Sequence, residues 1–496
     1  SETLNLKPSE VFKTSVPAIG AVYENITAKI TKNAKTVLEH IPVKNTEPVP
    51  SPAEEIPMPE EIPTNEKLFL AATHLEQYRH ATYSPEPYYL EGLKRDASDI
   101  RINNGYGKYL YNRGRFEESI KYFNAAIKSS TWKNPNPYDC EPYYNLGLAL
   151  KMVGETDKAF DAFYKATWDG NMQDKAFYLL ACIAAEKGEY EDALVFVEKS
   201  LVRSLHNLKA RTLKTALLRL MGRIDKAVEF AEKTKSIDPL DHGCRYELYL
   251  LKGNELDELK TVMRGDNHNY IELALTYTAA GLIGEADKIL ALAPNDEPMT
   301  HYYRYYCTNN PEELKNAEKA NSLHCFPNRL EDIAVLQKAI NDGGKYAAYY
   351  LGNLLYDKGR WQESAALWEN CAEKINLPTV YRNLSLAYYN KRRDFEKARI
   401  AMEKAFELDT TDARVFFELD QLYKMLNFTL KDRLDNMNAH PELLEGRDDL
   451  YTEYITLLNL NGEYDNAYNR IMSHNFHPWE GGEGKITAQY RISLIN

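Results

Sequence analysis

Apolar residues in this chain recur with a helical period, and the helices themselves recur. The segment YYNLGLALKMVGETDKAFDAFYKA (143–166) shows the unit most clearly. Tyr143, Leu146 and Leu150 fall at i, i+3 and i+7, so they share one face of a first helix. Ala159, Phe163 and Ala166 form the packing face of a second. Gly154 lies between the two, where a left-handed residue costs least. Gly147 leaves room for the partner helix to approach. The pattern predicts an antiparallel helix hairpin.

A short signal, Gly-x-apolar-x-x-Ala/Ser, marks the turn of each hairpin. It occurs as GRFEES at Gly114, GETDKA at Gly154, GEYEDA at Gly188, GRIDKA at Gly222, GLIGEA at Gly281, GRWQES at Gly359 and GEYDNA at Gly462, with the variant RDFEKA at Arg393. Gly154, Gly188 and Gly222 are spaced by 34 residues, as are Gly359 and Arg393. A period of about 34 is that of tetratricopeptide (TPR) helix pairs. Further copies cover 101–130, 174–204, 208–240, 346–375 and 379–408, whereas 240–345 is irregular, with a degenerate copy near Gly253. The expected fold is mostly α: residues 64–496 form a TPR α-solenoid, a right-handed superhelix of about nine to eleven helix pairs. Its concave face is lined by the first helix of each pair.

The first 63 residues read differently. Residues 1–42 hold short β-branched stretches (SVPAIGAVY, NITAKI, KTVLEHIPV) that predict a few strands. Too few to be stable alone, they are expected to belong to a larger sheet or to lean on the helical region C-terminal to them. Residues 43–63 carry six prolines among acidic residues and predict an extended linker.

Composition narrows the function. The formal charge is −12, with 73 Asp+Glu against 61 Lys+Arg and no basic block, so nucleic acid is not an expected partner. No apolar run is long enough to cross a membrane. Six scattered cysteines without a C-x-x-C argue against disulfides or zinc and suit a reducing, cytoplasmic compartment. The chain opens on Ser1 rather than Met and reads as a piece of a longer protein. No cofactor and no metal site is expected.

Candidate binding residues follow from the repeat phase. The fifth position of successive copies is Asn104, Tyr144, Tyr178, Tyr349, Arg382 and Phe417, expected on the concave face, with Tyr144 and Tyr178 as stacked neighbours. Tyrosine outnumbers phenylalanine 36 to 16, which suits half-buried rings with a polar tip. Such a groove would bind a peptide or a sugar; the competing reading is that these rings fill space between hairpins. Glu76 and His80 share a helix face at i, i+4, as an acid–base pair would, or form a polar helix start. Asn136 lies in a proline-stiffened loop, NPNPYDCEPYYN (134–145), Trp168 at the next turn and Arg329 in CFPNRLED (325–332). FHPWEGGEGK (476–485) adds His477, Trp479 and Glu480. It resembles a phosphate-binding loop only through Gly484-Lys485 and lacks the upstream glycine and the following Ser/Thr, so it reads as a loop capping the last hairpin.

EEIPTNEKLFL (60–70), HLEQYRHAT (74–82), NPNPYD (134–139), FYKATW (163–168), CFPNRLE (325–331) and HPWEGGEGK (477–485) together resemble the bacterial domain-of-unknown-function 5107 family, in which a mutarotase-like β-sandwich precedes a TPR region. The resemblance implies that 1–42 is the tail of that sandwich and that the protein is carbohydrate-related, by analogy of fold. The leading expectation is a non-catalytic TPR scaffold, binding its own β-sandwich domain, a peptide, a second copy or a glycan. The alternative is a carbohydrate-active enzyme with its site between sandwich and coil. There Glu76, His80 and Glu480 are the candidate acid–base groups, and Trp168 and Trp479 the sugar platforms.

Overall fold

The computed structural model describes residues 3–5, 11–17, 19–43, 49, 51–52, 54–78, 82–477, 479, 482 and 484–495. They divide into two compact units, Ser1–Met58 and Pro59–Asn496.

In the first unit, β1 (Ala28–Lys32) and β2 (Lys35–His40) form an antiparallel hairpin. The connecting Asn33 and Ala34 both have positive φ, the twist-matched geometry of a two-residue hairpin turn. Ile30 faces Leu38 across the pair, and every strand position is exposed. Among the described residues this hairpin is the whole sheet.

The second unit is a solenoid of helix pairs. It opens with α1 (Asn65–Gln77) and α2 (Glu86–Arg95), then α3 (Ile100–Asn112) and α4 (Phe116–Thr131), α5 (Glu141–Met152) and α6 (Thr156–Ala166), and α7 (Gln173–Glu186) and α8 (Tyr190–Arg203). It continues with α9 (Leu208–Leu220) and α10 (Ile224–Ile237), α11 (His242–Lys252) and α12 (Leu256–Met263), α13 (Asn267–Thr278) and α14 (Ile283–Leu290), and α15 (Pro298–Thr308) and α16 (Pro311–Lys319). A single helix, α17 (Glu331–Asn341), interrupts the series before α18 (Tyr346–Asp357) and α19 (Trp361–Ile375), and α20 (Pro378–Ala387) and α21 (Phe395–Leu408). The last pairs are α22 (Ala413–Met425) with α23 (Leu430–Asn438) and, after the short α24 (Pro441–Leu444), α25 (Asp448–Leu460) with α26 (Tyr464–Ser473); α27 (Lys485–Ile495) comes last.

That makes twelve pairs among the described residues, one beyond the upper expectation. The excess lies in the segment read as irregular. There the hairpins persist, but α12, α14 and α16 are only 8, 8 and 9 residues long, so the repeat signal has fewer positions to show itself. The solenoid also begins ahead of residue 64. Pro59 and Ile62 are buried, and the Arg95 guanidinium donates to the carbonyls of Pro59, Glu60 and Ile62, which fastens the end of the proline-rich stretch to α2. At the other end the chain does not stop at the loop after α26. α27 packs on both α25 and α26, where the first helix of a further pair would lie.

The hairpins are held by one recurring device. Gly107, Gly147 and Gly352 sit in first helices against Phe123, Phe163 and Trp368 of the second helices, at the same sequence separation. A Cβ at Gly147 would lie 2.5 Å from Phe163, and one at Gly352 2.3 Å from the Trp368 indole. All three aromatic rings are buried. Gly154 adopts φ +80° at its turn, and where Arg393 replaces the turn glycine the chain still takes φ +55°, preceded by one π-helical turn over Tyr388–Arg392.

Candidate functional site

The first helices α7 and α9 are partly covered by the protein itself. The α13–α14 turn (279–282) packs onto the first helices α7 and α9. Ala280 is fully buried there among Ala181, Cys182, Ala184, Ala185, Leu213 and Leu217. The Lys151 ammonium at the end of α5 donates to the Ala279 carbonyl at 2.8 Å. Gly281 (φ +71°) approaches α7 so closely that a Cβ would stand 2.7 Å from the Glu186 Cα. A second contact joins more distant hairpins. Arg360, in the α18–α19 turn, donates to the Gly114 carbonyl in the α3–α4 turn at 3.0 Å, and Ile333 of α17 lies against Gly114. The ribbon therefore bends far enough for turns of separate hairpins to meet.

The residues expected on the concave face are engaged within and between hairpins. Asn104 is buried, donates to Glu141 at 2.7 Å and accepts from Asn145 at 2.9 Å, which ties α3 to α5. Arg382 forks onto Glu418 at 2.5 and 2.6 Å, which ties α20 to α22 in the same way. Tyr349 is buried with its ring 5.1 Å from that of Tyr350, and its carbonyl accepts from the Trp368 indole. Tyr144 packs 5.9 Å from Phe163, and Tyr178 lies beside the docked turn. At the fifth position, then, Asn104 and Arg382 link successive first helices, while Tyr144 and Tyr349 pack against the second helix of their own hairpin.

The remaining candidates stand apart from one another. Glu76 accepts from the Tyr89 hydroxyl at 2.6 Å. Burial pushes its carboxyl above the ordinary value, against the opposing pull of that bond and of Arg113 and Lys108. Its partner in the expected pair, His80, lies outside the described residues, as does Glu480. Arg329 is tied to Glu272 and, at 3.1 Å, to His268, both on α13. The His477 amide and ring both reach Asp448, which also takes His474 at 2.7 Å; these bonds outweigh burial and hold Asp448 below the usual carboxylate range. The Trp479 indole folds back onto Gly482, where a Cβ would lie 2.3 Å away. Among the described residues no group of three or more His, Cys, Asp or Glu has metal-binding geometry, and no helix is long and apolar enough to cross a membrane. Burial pushes the Cys140, Cys182, Cys244, Cys307, Cys325 and Cys371 thiols up, which makes them poor nucleophiles.

Two candidates are brought together. The Lys165 ammonium donates to Asn136 Oδ1 at 2.6 Å and sits 3.9 Å from the centre of the Trp168 ring. The Asn136 loop is fixed by its own turns: Asn136 N donates to Asn134, Glu141 N to Asp139, and Cys140 N to Asp169 across the hairpin. Around them Trp132 is 76% exposed, Trp168 59% and Tyr138 fully so. Lys133 covers the Trp132 ring at 4.5 Å. Nearby, an open cleft of about 410 Å³ runs between α4 and α6 over Tyr143, Leu146 and Leu150. Reading the sequence for Asn136 and Trp168 alone missed Trp132, Lys133, Tyr138 and Lys165; the clustering of TWKNPNPYD and YKATWD at consecutive hairpin ends was the available signal. Lys151, Gly281 and Arg360 were missed too, and only the small residues of AAGLIG hint at the docked turn.

Residues 86–135, from α2 through α4, match the family model described as tetratricopeptide repeat. A TPR repeat-containing protein of Methanocaldococcus jannaschii is 25% identical over 301 residues, 60% of this chain and 48% of that protein. Human clathrin heavy chain 2 is 22% identical over 360 residues, 64% of this chain and 21% of its own length. The chain spans about half or less of these curated relatives. Among solved structures, a tetratricopeptide repeat protein from Parabacteroides merdae aligns over 59% of this chain and 98% of its own, at 14% identity and a TM-score of 0.35. The chain is a TPR-type α-solenoid, with a tetratricopeptide repeat matched at 86–135.

Proposed function

We propose that this chain is a non-catalytic scaffold for protein–protein contacts that engages partners on its outer and loop-edge surfaces, not in a groove over α7 and α9. The observation that carries this reading is the docked turn: Ala279 to Leu282 already cover α7 and α9, the first helices on which a groove-bound peptide would lie in that stretch. The links made by Asn104 and Arg382 spend those side chains on holding successive hairpins together. What projects instead are the hairpin-end loops, with exposed aromatic rings on a rigid frame, the usual composition of protein contact surfaces.

The test is site-specific photo-crosslinking in the cell that encodes the protein. A photoreactive residue at Tyr138 is expected to capture a protein partner, and one at Tyr178 is not. Capture only from Tyr178, or from neither position nor any other loop end, would sink the scaffold reading in this form. A glycan-related role, as the family resemblance implies, rests on the exposed Trp132 and Trp168 indoles as surfaces for sugar rings. It takes second place because the groups beside them are cations. The β1–β2 hairpin, with Ile30 and Leu38 exposed, fits the edge of a larger sheet that would cover them; a β-sandwich is the partner proposed for it.

A further inference from the structure

The loop edge formed by the ends of α4 and α6 combines two features on a chain of charge −12. Its aromatic rings are open to solvent, and its cations carry no carboxylate. Elsewhere many basic side chains are paired: Lys94 and Arg95 with Glu91, Arg223 with Glu191, Lys235 with Glu255 and Glu258, Lys424 with Glu453. At this edge Lys133 meets only the Trp132 ring, and Lys165 meets the Trp168 ring and the neutral oxygen of Asn136, among the described residues. A lysine in the last turn of a helix is favoured by the helix dipole. The dipole does not account for the indoles beside it, which at 76% (Trp132) and 59% (Trp168) exposure forgo much of the apolar burial that Trp368 takes.

We propose that Trp132, Lys133, Asn136, Tyr138, Lys165 and Trp168 form a docking surface for an acidic, aromatic-containing peptide segment of a partner protein. This rests on the scaffold reading above and says where and by what chemistry it works. The two ammonium groups take partner carboxylates, and the rings that flank them exclude water from those ion pairs and stack on apolar or aromatic side chains of the segment. Asn136 holds Lys165 over Trp168, so the cation is aimed before a partner arrives. Two prolines, at 135 and 137, and the Asn134 and Asp139 turns keep the loop in one shape, which lowers the ordering cost of binding. A carboxylate-rich segment matches the unpaired cations; a neutral glycan would leave them unused.

The test is equilibrium binding of a random copolymer of glutamate and tyrosine to the full chain, read by tryptophan emission and by anisotropy of a labelled copolymer. Binding that weakens with salt and shifts the Trp132 and Trp168 emission to the blue is expected. Lys133→Glu/Lys165→Glu should bind roughly ten-fold or more weakly, since two attractions become repulsions. Lys226→Glu/Lys260→Glu, on exposed positions of other helices, makes the same change of net charge and should lose far less. Trp168→Phe keeps the fold and should remove much of the emission change. Equal losses in the two double variants, no binding of the copolymer, or preference for a neutral glucan over the copolymer would each overturn the proposal. If the edge fails in this way while crosslinking from other loop ends still captures a protein, the scaffold reading stands without it.

Discussion

Replacing Gly281 by alanine tests whether the docked turn is part of the folded state. The residue has φ +71°, so any Cβ carries the left-handed penalty of about 1–2 kcal/mol. It would also stand 2.7 Å from the Glu186 Cα and 3.0 Å from its Cβ and Cγ, and a backbone atom cannot swing aside as a side-chain tip can. Forcing α13–α14 away from α7 adds a further overpacking cost of about 1–3 kcal/mol, with the Ala280 burial and the Lys151 bond at stake. The expected total is ~2–5 kcal/mol. Gly222 is a matched control: it ends the same kind of turn at φ +72°, with nothing within 4 Å of its Cβ position. Gly222→Ala should therefore lose only the conformational part. Urea unfolding followed by circular dichroism gives the two losses, and X-ray scattering should show a larger radius for Gly281→Ala alone. Equal losses in both variants would refute the docking of 279–282 on α7.

Other substitutions probe the links between hairpins. Arg433 is buried and forks onto the fully buried Asp420 at 3.0 and 2.6 Å while reaching Glu453 at 2.8 Å. Arg433→Met should cost about 3–5 kcal/mol, because it strands a buried carboxylate, and adding Asp420→Leu should return part of the loss; a double variant no better than the single one in denaturant melts would contradict this. Burial pushes the Glu418 carboxyl up, but the bonds from Arg382 and Arg414 outweigh it and hold it below its ordinary value. A depressed carboxyl contributes stability that is present above its unfolded value and is lost as pH falls through the folded one. Glu418→Gln should accordingly flatten the acid side of the stability profile, and an unchanged slope there would oppose the assignment.

Much of the solenoid is written locally. The spacing of Gly154, Gly188 and Gly222, and the pairing of Gly147 with Phe163, arise from contacts within one hairpin, so a window of one repeat contains them. Where the second helices shorten, at α12, α14 and α16, fewer positions carry the pattern; the turns at Gly253 and Gly281 still showed in the sequence, whereas the α15–α16 hairpin was visible only in three dimensions. Asn136 and Trp168 could be singled out from residue type, yet their meeting through Lys165 depends on how two consecutive loop ends stack.

The amino-acid sequence by itself determined the repeating unit, its turns and its acidic surface, because each depends on neighbours within a few helical turns. Tertiary structure alone decided which face stays open. A small angle between successive hairpins accumulates over several of them until Gly281 meets Glu186 and Arg360 meets Gly114. No single repeat encodes that sum. It turns the expected inner groove over α7 and α9 into a packed contact and leaves the rings of Trp132, Tyr138 and Trp168 facing solvent.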